Sequence, residues 1–182
     1  MPDEAAAAPA RVFFALWPDD AITDKLVRVA TTAHDAFGGR RMRRETLHLT
    51  LAFIGTVAPQ RIEALAAVAA AVRIPAFTLR LDRLRGLPRK HLAWIESASP
   101  PSALAALATE LHTRLAAASF PLEASPFNAH VTLLRNARNA ATPPPQPPID
   151  WPVRDFVLVQ SHLDAAGASY RCLGRWGLGA AE

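Results

Sequence analysis

Apolar and polar residues along the first half of the chain follow patterns that predict strands and helices in alternation. The runs 11–18 and 46–55 are rich in β-branched and aromatic residues and stop at proline or glycine, which predicts two strands. Apolar residues at helical spacing predict a helix over 19–37 and a second over 59–72. Strict alternation over 77–84 predicts a further half-buried strand.

The second half repeats this order. We predict a strand over 91–97, a helix over 102–118 and a strand over 129–135. The proline-rich segment 142–148 predicts a stiff loop outside any sheet interior. After it, two apolar runs separated by a short turn around 165–168 predict a closing hairpin, with strands over 155–163 and 170–178.

The two halves can be aligned on their histidine-headed strands. Phe13 precedes His48 by 35 residues, and Trp94 precedes His130 by 36. We therefore expect an α+β fold with two pseudo-symmetric lobes, each an antiparallel sheet backed by helices, around a central cleft. The predicted domain is a single bilobal unit over 11–179, with half-repeats of about 11–87 and 91–178.

The phrases "HLTL" and "HVTL" begin those two strands. Because side chains alternate between the faces of a strand, His48 and Thr50 share one face, and so do His130 and Thr132. The intervening leucines and valine lie on the opposite, apolar face. A single strand histidine is commonly structural, but packing alone does not explain the same His/Thr pair in matching positions of both halves.

Two imidazoles suit proton transfer at a phosphate. Their ordinary pKa of about 6.5 allows one to be neutral and the other protonated near pH 7. The neutral ring can take a proton from an attacking water, and the protonated ring can give one to a leaving oxygen. Threonine hydroxyls can donate hydrogen bonds to the phosphate oxygens. The two phrases are too alike for the residues themselves to say which histidine is the acid.

Charge adds a candidate partner. The net charge is +4, and the positive residues are arginines except for Lys25 and Lys90. Arginine suits phosphate recognition, so RNA is the expected partner, although a compositional preference for arginine gives the same count. The cluster Arg40, Arg41, Arg43 and Arg44 precedes the first phrase and either steers RNA towards the cleft or forms a solvated loop.

Other classes of site lack their signatures. The one cysteine, Cys172, excludes a disulfide framework and is expected to be buried. The sequence contains no zinc-site spacing, phosphate-binding loop or serine nucleophile elbow, so we expect neither a metal nor a cofactor. The first ten residues lack the charge and apolar run of a signal peptide. We expect a disordered leader over 1–10 and a monomeric cytoplasmic protein without a membrane span.

The segments "RVFFALWP", "TLHLTLAFIG" and "FNAHVTLLR", with Tyr170, Leu173 and Trp176 near the end, resemble the two-histidine phosphoesterases. Within that superfamily they are most similar to the bacterial and archaeal RNA 2′,3′-cyclic phosphodiesterases, once named 2′-5′ RNA ligases. The resemblance covers the chain from Arg11 to Leu178. It implies a bilobal fold and metal-independent opening of an RNA 2′,3′-cyclic phosphate to a 2′-phosphomonoester.

The resemblance also assigns residues. It implies that His48 donates a proton to the leaving 3′-oxygen, that His130 accepts one from water, and that Arg135 lies near the phosphate. Strict strand alternation, however, places Arg135 on the face opposite His130. Phe14 is expected to pack in the core rather than stack on a base.

Three alternatives stay open. The first is the same chemistry on another cyclic phosphate, such as ADP-ribose 1″,2″-cyclic phosphate, or on a 2′-5′ linkage. The second is reversible 2′-5′ ligation, which needs no further residues. The third is a non-catalytic RNA-binding module, which has no need of two proton carriers.

Overall fold

A computed structural model describes residues 9–122, 126–164 and 167–179. The first eight residues of the predicted leader lie outside the described residues, and so do Ala165 and Ala166 in the predicted turn. None of the helices in the described residues is both long and apolar enough to cross a bilayer.

In chain order the elements are β1 (Ala10–Leu16), α1 (Asp20–Phe37), β2 (Arg40–Arg41), β3 (Leu49–Val57), α2 (Ile62–Ala70), β4 (Phe77–Leu81), β5 (Arg83–Leu87), β6 (Leu92–Glu96), α3 (Ser102–Ala117), β7 (His130–Arg135), β8 (Ile149–Val153), β9 (Asp155–Asp164) and β10 (Gly167–Gly177). The predicted helix 19–37 is confirmed. The Asp19 carboxylate accepts a hydrogen bond from the Ile22 amide at 2.8 Å, and Gly38 ends the helix with a positive φ of 66°.

The main sheet is antiparallel, in the order β10-β9-β1-β3-β7-β6-β5, with β2 also pairing with β7. Its centre is narrow, because Leu49 and Val131 are the one residue pair that joins β3 to β7 in the described residues. The sheet therefore consists of two groups of strands that meet at the two motif strands. This arrangement confirms the predicted α+β fold with two lobes.

The lobes do not follow the order of the chain. One group combines β1 and β3 with the closing hairpin β9-β10, and the other combines β6 and β7 with β5 and β2. The helices also cross over, since α1 packs on β7 and α3 packs on β3. Each motif strand is thus supported by a helix from the other half of the chain. The proposed half-repeat boundaries stay a prediction.

Two local expectations were wrong, and one strand was not predicted. The predicted strand 77–84 is broken at Asp82, and its two parts pair with β8 and β6 in different sheets. The segment after the proline-rich loop forms β8, which the sequence analysis did not predict. Cys172 is exposed rather than buried, because its strand, β10, lies at the edge of the sheet.

Candidate active site

A cavity of about 660 Å³ opens above the junction of β3 and β7. All five residues proposed from the sequence contribute to its wall, together with others from both lobes. Those used below are Phe13, Arg40, His48, Thr50, Phe53, His130, Thr132, Arg135 and Tyr170.

The Leu49–Val131 pair explains why the two motifs meet. Both side chains are fully buried beneath the sheet, so the residues on either side of them project from the opposite face. Continuing the antiparallel register sets His48 opposite Thr132 and Thr50 opposite His130. The two histidines are then diagonal neighbours, roughly 7–8 Å apart between backbones in ordinary sheet geometry. That spacing leaves room for a phosphate between the rings.

Each motif strand carries a bulge directly after its threonine. In β7, Thr132 pairs with Trp94 and Leu134 with Ala93, so Leu133 has no partner across the strands. In β3, Leu51 is left over in the same way, between the pairs made by Thr50 and Ala52. An extra residue reverses the alternation of side chains beyond it.

Because of the bulge in β7, Arg135 does not lie on the face where strict alternation places it. Leu133 and Leu134 are both buried although they are consecutive, and Arg135 therefore lies on the same face as His130 and lines the cavity. Phe53 is the corresponding residue in the first motif and lines the same cavity. Strict alternation failed here because it assumed a regular strand.

Both imidazoles are held by the same local hydrogen bond. The Nδ1–H of His48 donates to the carbonyl of Thr46 at 2.7 Å, and that of His130 donates to the carbonyl of Asn128 at 2.8 Å. Since a carbonyl can only accept, each Nδ1 keeps its proton. Proton exchange therefore falls to Nε2 in both rings. In both motifs the histidine donates to the carbonyl two residues before it, as expected if the two halves of the site are related by pseudo-symmetry.

His48 lies in a box of aromatic rings. Its ring stacks on Trp17 at 5.3 Å with 4° between the planes, and the rings of Phe13 and Tyr170 lie at 5.0 Å and 5.3 Å. Burial lowers the pKa of His48 to about 4, and the positive charges of His130 and Arg135 act in the same direction. The hydrogen bond to Thr46 opposes this change. His48 is therefore neutral in the free protein near pH 7.

His130 has a different environment. Its ring lies 4.3 Å from that of Trp94, whose indole N–H donates to the buried carboxylate of Glu96 at 2.8 Å. Burial lowers the pKa of His130, and Lys90 adds to this, whereas the bond to Asn128 and the charge of Glu96 oppose it. The carboxylate of Glu96 raises the pKa of His130, and no negatively charged group in the described part of the chain is among those that change the pKa of His48.

The four arginines before the first motif differ in what their side chains contact. Arg40 lines the cavity. Arg41 donates to the Thr31 hydroxyl, Arg43 to the carbonyl of Ala168, and Arg44 to Asp20 and Asp24. The last three side chains are thus engaged within the protein, and a direct role in RNA steering remains a prediction for Arg40.

Several cavity residues were missed by the sequence analysis. Phe14 is fully buried against Phe156 and Trp176, as expected, and its neighbour Phe13 faces the site instead. Period-two alternation in β1 was the available signal for Phe13. Tyr170 lies in β10 and reaches the site only through pairing that is distant in sequence, so no local pattern points to it.

His112 lies on α3. Its Nε2–H donates to the carbonyl of Leu51 at 3.2 Å, which is the carbonyl of the bulged residue in β3. A bulge leaves a backbone group without its partner in the sheet. His112 therefore stabilises the irregular backbone beside Thr50, which is a structural role.

A family model described as the 2′-5′ RNA ligase superfamily matches residues 18–165. The chain belongs to this superfamily. The chain is 35% identical to the RNA 2′,3′-cyclic phosphodiesterase of Escherichia coli (strain K12), over 93% of this chain and 97% of that protein. It is 29% identical to the enzyme of the same name from Thermus thermophilus, over 92% and 90% of the two chains.

Solved structures of the superfamily show the same architecture. The crystal structure of E. coli LigT in apo form superposes with a TM-score of 0.84 at 32% identity, covering 95% of this chain and 99% of that one. The T. thermophilus protein TT0787 gives a TM-score of 0.74 at 26% identity, covering 94% and 100%. These matches confirm the resemblance inferred from the two histidine motifs.

Proposed function

We propose that this chain hydrolyses RNA 2′,3′-cyclic phosphate ends to 2′-phosphomonoesters. The observation that carries the proposal is the pair of imidazoles on one cavity, each with Nδ1 held by a carbonyl and Nε2 left for proton exchange. Relatives over more than nine-tenths of the chain are named RNA 2′,3′-cyclic phosphodiesterases. E. coli LigT has also been crystallised with phosphate and with 3′-AMP.

In the proposed reaction His130 is the proton acceptor and His48 the proton donor. Nε2 of His130 takes a proton from water while the water oxygen bonds to phosphorus. The bond from phosphorus to O3′ breaks, and His48 delivers a proton to that oxygen. The phosphate remains on O2′. Thr50, Thr132 and Arg135 stabilise the charge on the nonbridging oxygens.

The donor must first become protonated. Burial favours neutral His48 in the free protein, but a phosphate anion beside the ring favours the imidazolium. The face of Trp17 also stabilises a cation stacked on it. We therefore expect His48 to take up its proton as the substrate binds. We also expect the positive charge of Arg135 to balance the negative charge of the phosphate when it enters the site.

RNA is the proposed partner because the cavity is lined by Arg11, Arg40 and Arg135 as well as by aromatic rings. We propose that the protein acts as a monomer in the cytoplasm. With a 5′-hydroxyl in place of water, the same histidines would form a 2′-5′ linkage, so ligation is the expected second reaction of this site.

The proposal is tested with an oligonucleotide that ends in a 2′,3′-cyclic phosphate, in buffer containing EDTA. We expect a 2′-phosphate product, lost in both His48→Ala and His130→Ala and retained in His162→Ala, which changes an exposed histidine of β9. If the protein opened small cyclic nucleotides but not the oligonucleotide, the substrate would be another cyclic phosphate rather than an RNA end. Binding of RNA without turnover would support a binding module instead.

A further inference from the structure

A second cavity, of about 350 Å³, adjoins the first. The two cavities share Thr50, Phe53 and His130. Among the residues that the structure describes, His48 lines the first cavity and does not line the second. The second cavity therefore opens at one catalytic histidine only, on the side of the proposed proton acceptor.

The walls of this cavity combine aromatic rings with polar groups at the rim. Trp94, which is only 6% exposed, and the half-buried Phe127 supply apolar surface, and Lys90 and Asn128 supply polar side chains. The ammonium of Lys90 lies 5.8 Å from the centre of the Trp94 ring. Aromatic surfaces beside a cation are what a nucleobase and its adjoining phosphate require.

The reaction geometry indicates which nucleoside belongs there. In a displacement at phosphorus the attacking and leaving oxygens lie roughly in line, on opposite sides of the phosphorus. The leaving O3′ belongs to the nucleoside that carries the cyclic phosphate, and His48 protonates it. A group seated in the second cavity meets His130 instead, which is where the attacking oxygen lies.

We propose that the second cavity binds the nucleoside whose 5′-hydroxyl attacks the cyclic phosphate during 2′-5′ ligation, an assignment that rests on the proposed function. In this step the 5′-oxygen bonds to phosphorus and gives its proton to His130. The bond from phosphorus to O3′ breaks, and O3′ takes a proton from His48. The product is a 2′-5′ phosphodiester beside a free 3′-hydroxyl, with no net change in protons.

The test measures how the cyclic phosphate partitions between two nucleophiles. The protein is incubated with a nucleoside 2′,3′-cyclic phosphate and a 5′-hydroxyl dinucleotide, and both the 2′-5′ product and the 2′-phosphate are counted. Both reactions use the same histidines, so a change in either histidine affects both alike. The ratio of ligation to hydrolysis therefore reports on the binding of the second nucleoside.

We expect Lys90→Gln and Phe127→Leu each to lower that ratio by about fivefold. The control is Arg89→Gln, which removes the same charge from the adjacent exposed residue, does not line the cavity, and keeps the wild-type ratio. Equal thermal melting of the variants establishes that the fold is intact.

Four results overturn the assignment. Hydrolysis without any ligation product, or an unchanged ratio in both variants, overturns it and leaves the proposed function standing. A second arm compares hydrolysis of mono- and dinucleotide donors by Lys90→Gln. A raised KM for the dinucleotide alone assigns the cavity to the donor strand and overturns the proposal. No opening of the cyclic phosphate by the wild type overturns the proposed function as well.

Discussion

The imidazole of His48 lies parallel to the indole of Trp17, with 5.3 Å between ring centres and 4° between the planes. This contact affects the two protonation states in opposite ways. By excluding water from one face it disfavours the imidazolium, and by its π electrons it stabilises a cation on that face. Since burial is the largest influence on His48, exclusion of water dominates in the free protein.

Replacing Trp17 by alanine is expected to raise the pKa of His48 from about 4 towards its ordinary value, because water reaches the exposed ring face. Trp17→Phe keeps most of the cover and should shift the pKa less. The measurement is an NMR titration of the imidazole protons in each variant. A lower or unchanged pKa in Trp17→Ala would show that the ring does not act by excluding water.

The pH dependence of stability provides a second prediction. His48 resists protonation in the folded chain and accepts a proton near pH 6.5 when unfolded. The stability associated with neutral His48 is therefore complete above pH 6.5 and is lost as the pH falls towards 4. We expect a loss of about 2–3 kcal/mol in the free energy of unfolding from this group.

Urea denaturation at pH 7 and pH 4 checks this expectation. In His48→Asn the difference between the two pH values should be smaller by that amount, whereas His162→Asn, which changes an exposed histidine, should match the wild type. If His48→Asn and the wild type lose equal stability, the ring is not held neutral by the fold.

Arg135→Gln should lower kcat/KM for the cyclic phosphate by about 10- to 100-fold, since a charge-assisted hydrogen bond to the phosphate contributes roughly 1.5–3 kcal/mol. Arg138→Gln is the matched control, because Arg138 is an exposed arginine three residues later that does not line the cavity. Equal effects of both substitutions on kcat/KM would mean that only net charge matters and that the bulge does not deliver Arg135 to the substrate.

Glu96→Gln should lower the pKa of His130, because the carboxylate that stabilises its imidazolium is removed. NMR titration of His130 measures the change. Glu110→Gln, on α3 and paired with Arg114, serves as the control. A pKa that rises in Glu96→Gln would mean that the Trp94 contact, rather than the charge, dominates.

Local sequence patterns correctly predicted which motif residues face the cavity. They gave the wrong face for residues that follow an irregular stretch of backbone. His48 and Thr50 lie over the buried Leu49 as alternation requires, and the same holds for the second motif. Arg135 was misplaced because a bulge after Thr132 adds one residue. The consecutive apolar pair Leu133-Leu134 was the local signal of that bulge.

Contacts between segments that are far apart in the sequence could not be predicted from local sequence patterns. The order of elements predicted two lobes, but it did not predict that β9 and β10 join β1, or that β2 pairs with β7 while β5 joins β7 through β6. Tyr170 contacts His48 only because the closing hairpin pairs with β1, whereas Trp17 contacts His48 because Leu16, at the end of β1, pairs with Leu49. Which strands pair depends on the packing of the whole chain, and a single sequence carries little record of it.

In the proposed reaction one phosphate lies between a proton donor, His48, and a proton acceptor, His130. The sharpest test uses a cyclic substrate whose leaving 3′-oxygen is replaced by sulfur, which departs without protonation. We predict that this substrate restores turnover to His48→Ala and leaves His130→Ala inactive, because only the donor becomes dispensable. Restoration of His130→Ala instead would reverse the two roles, and restoration of neither would contradict the division of labour between the two motifs.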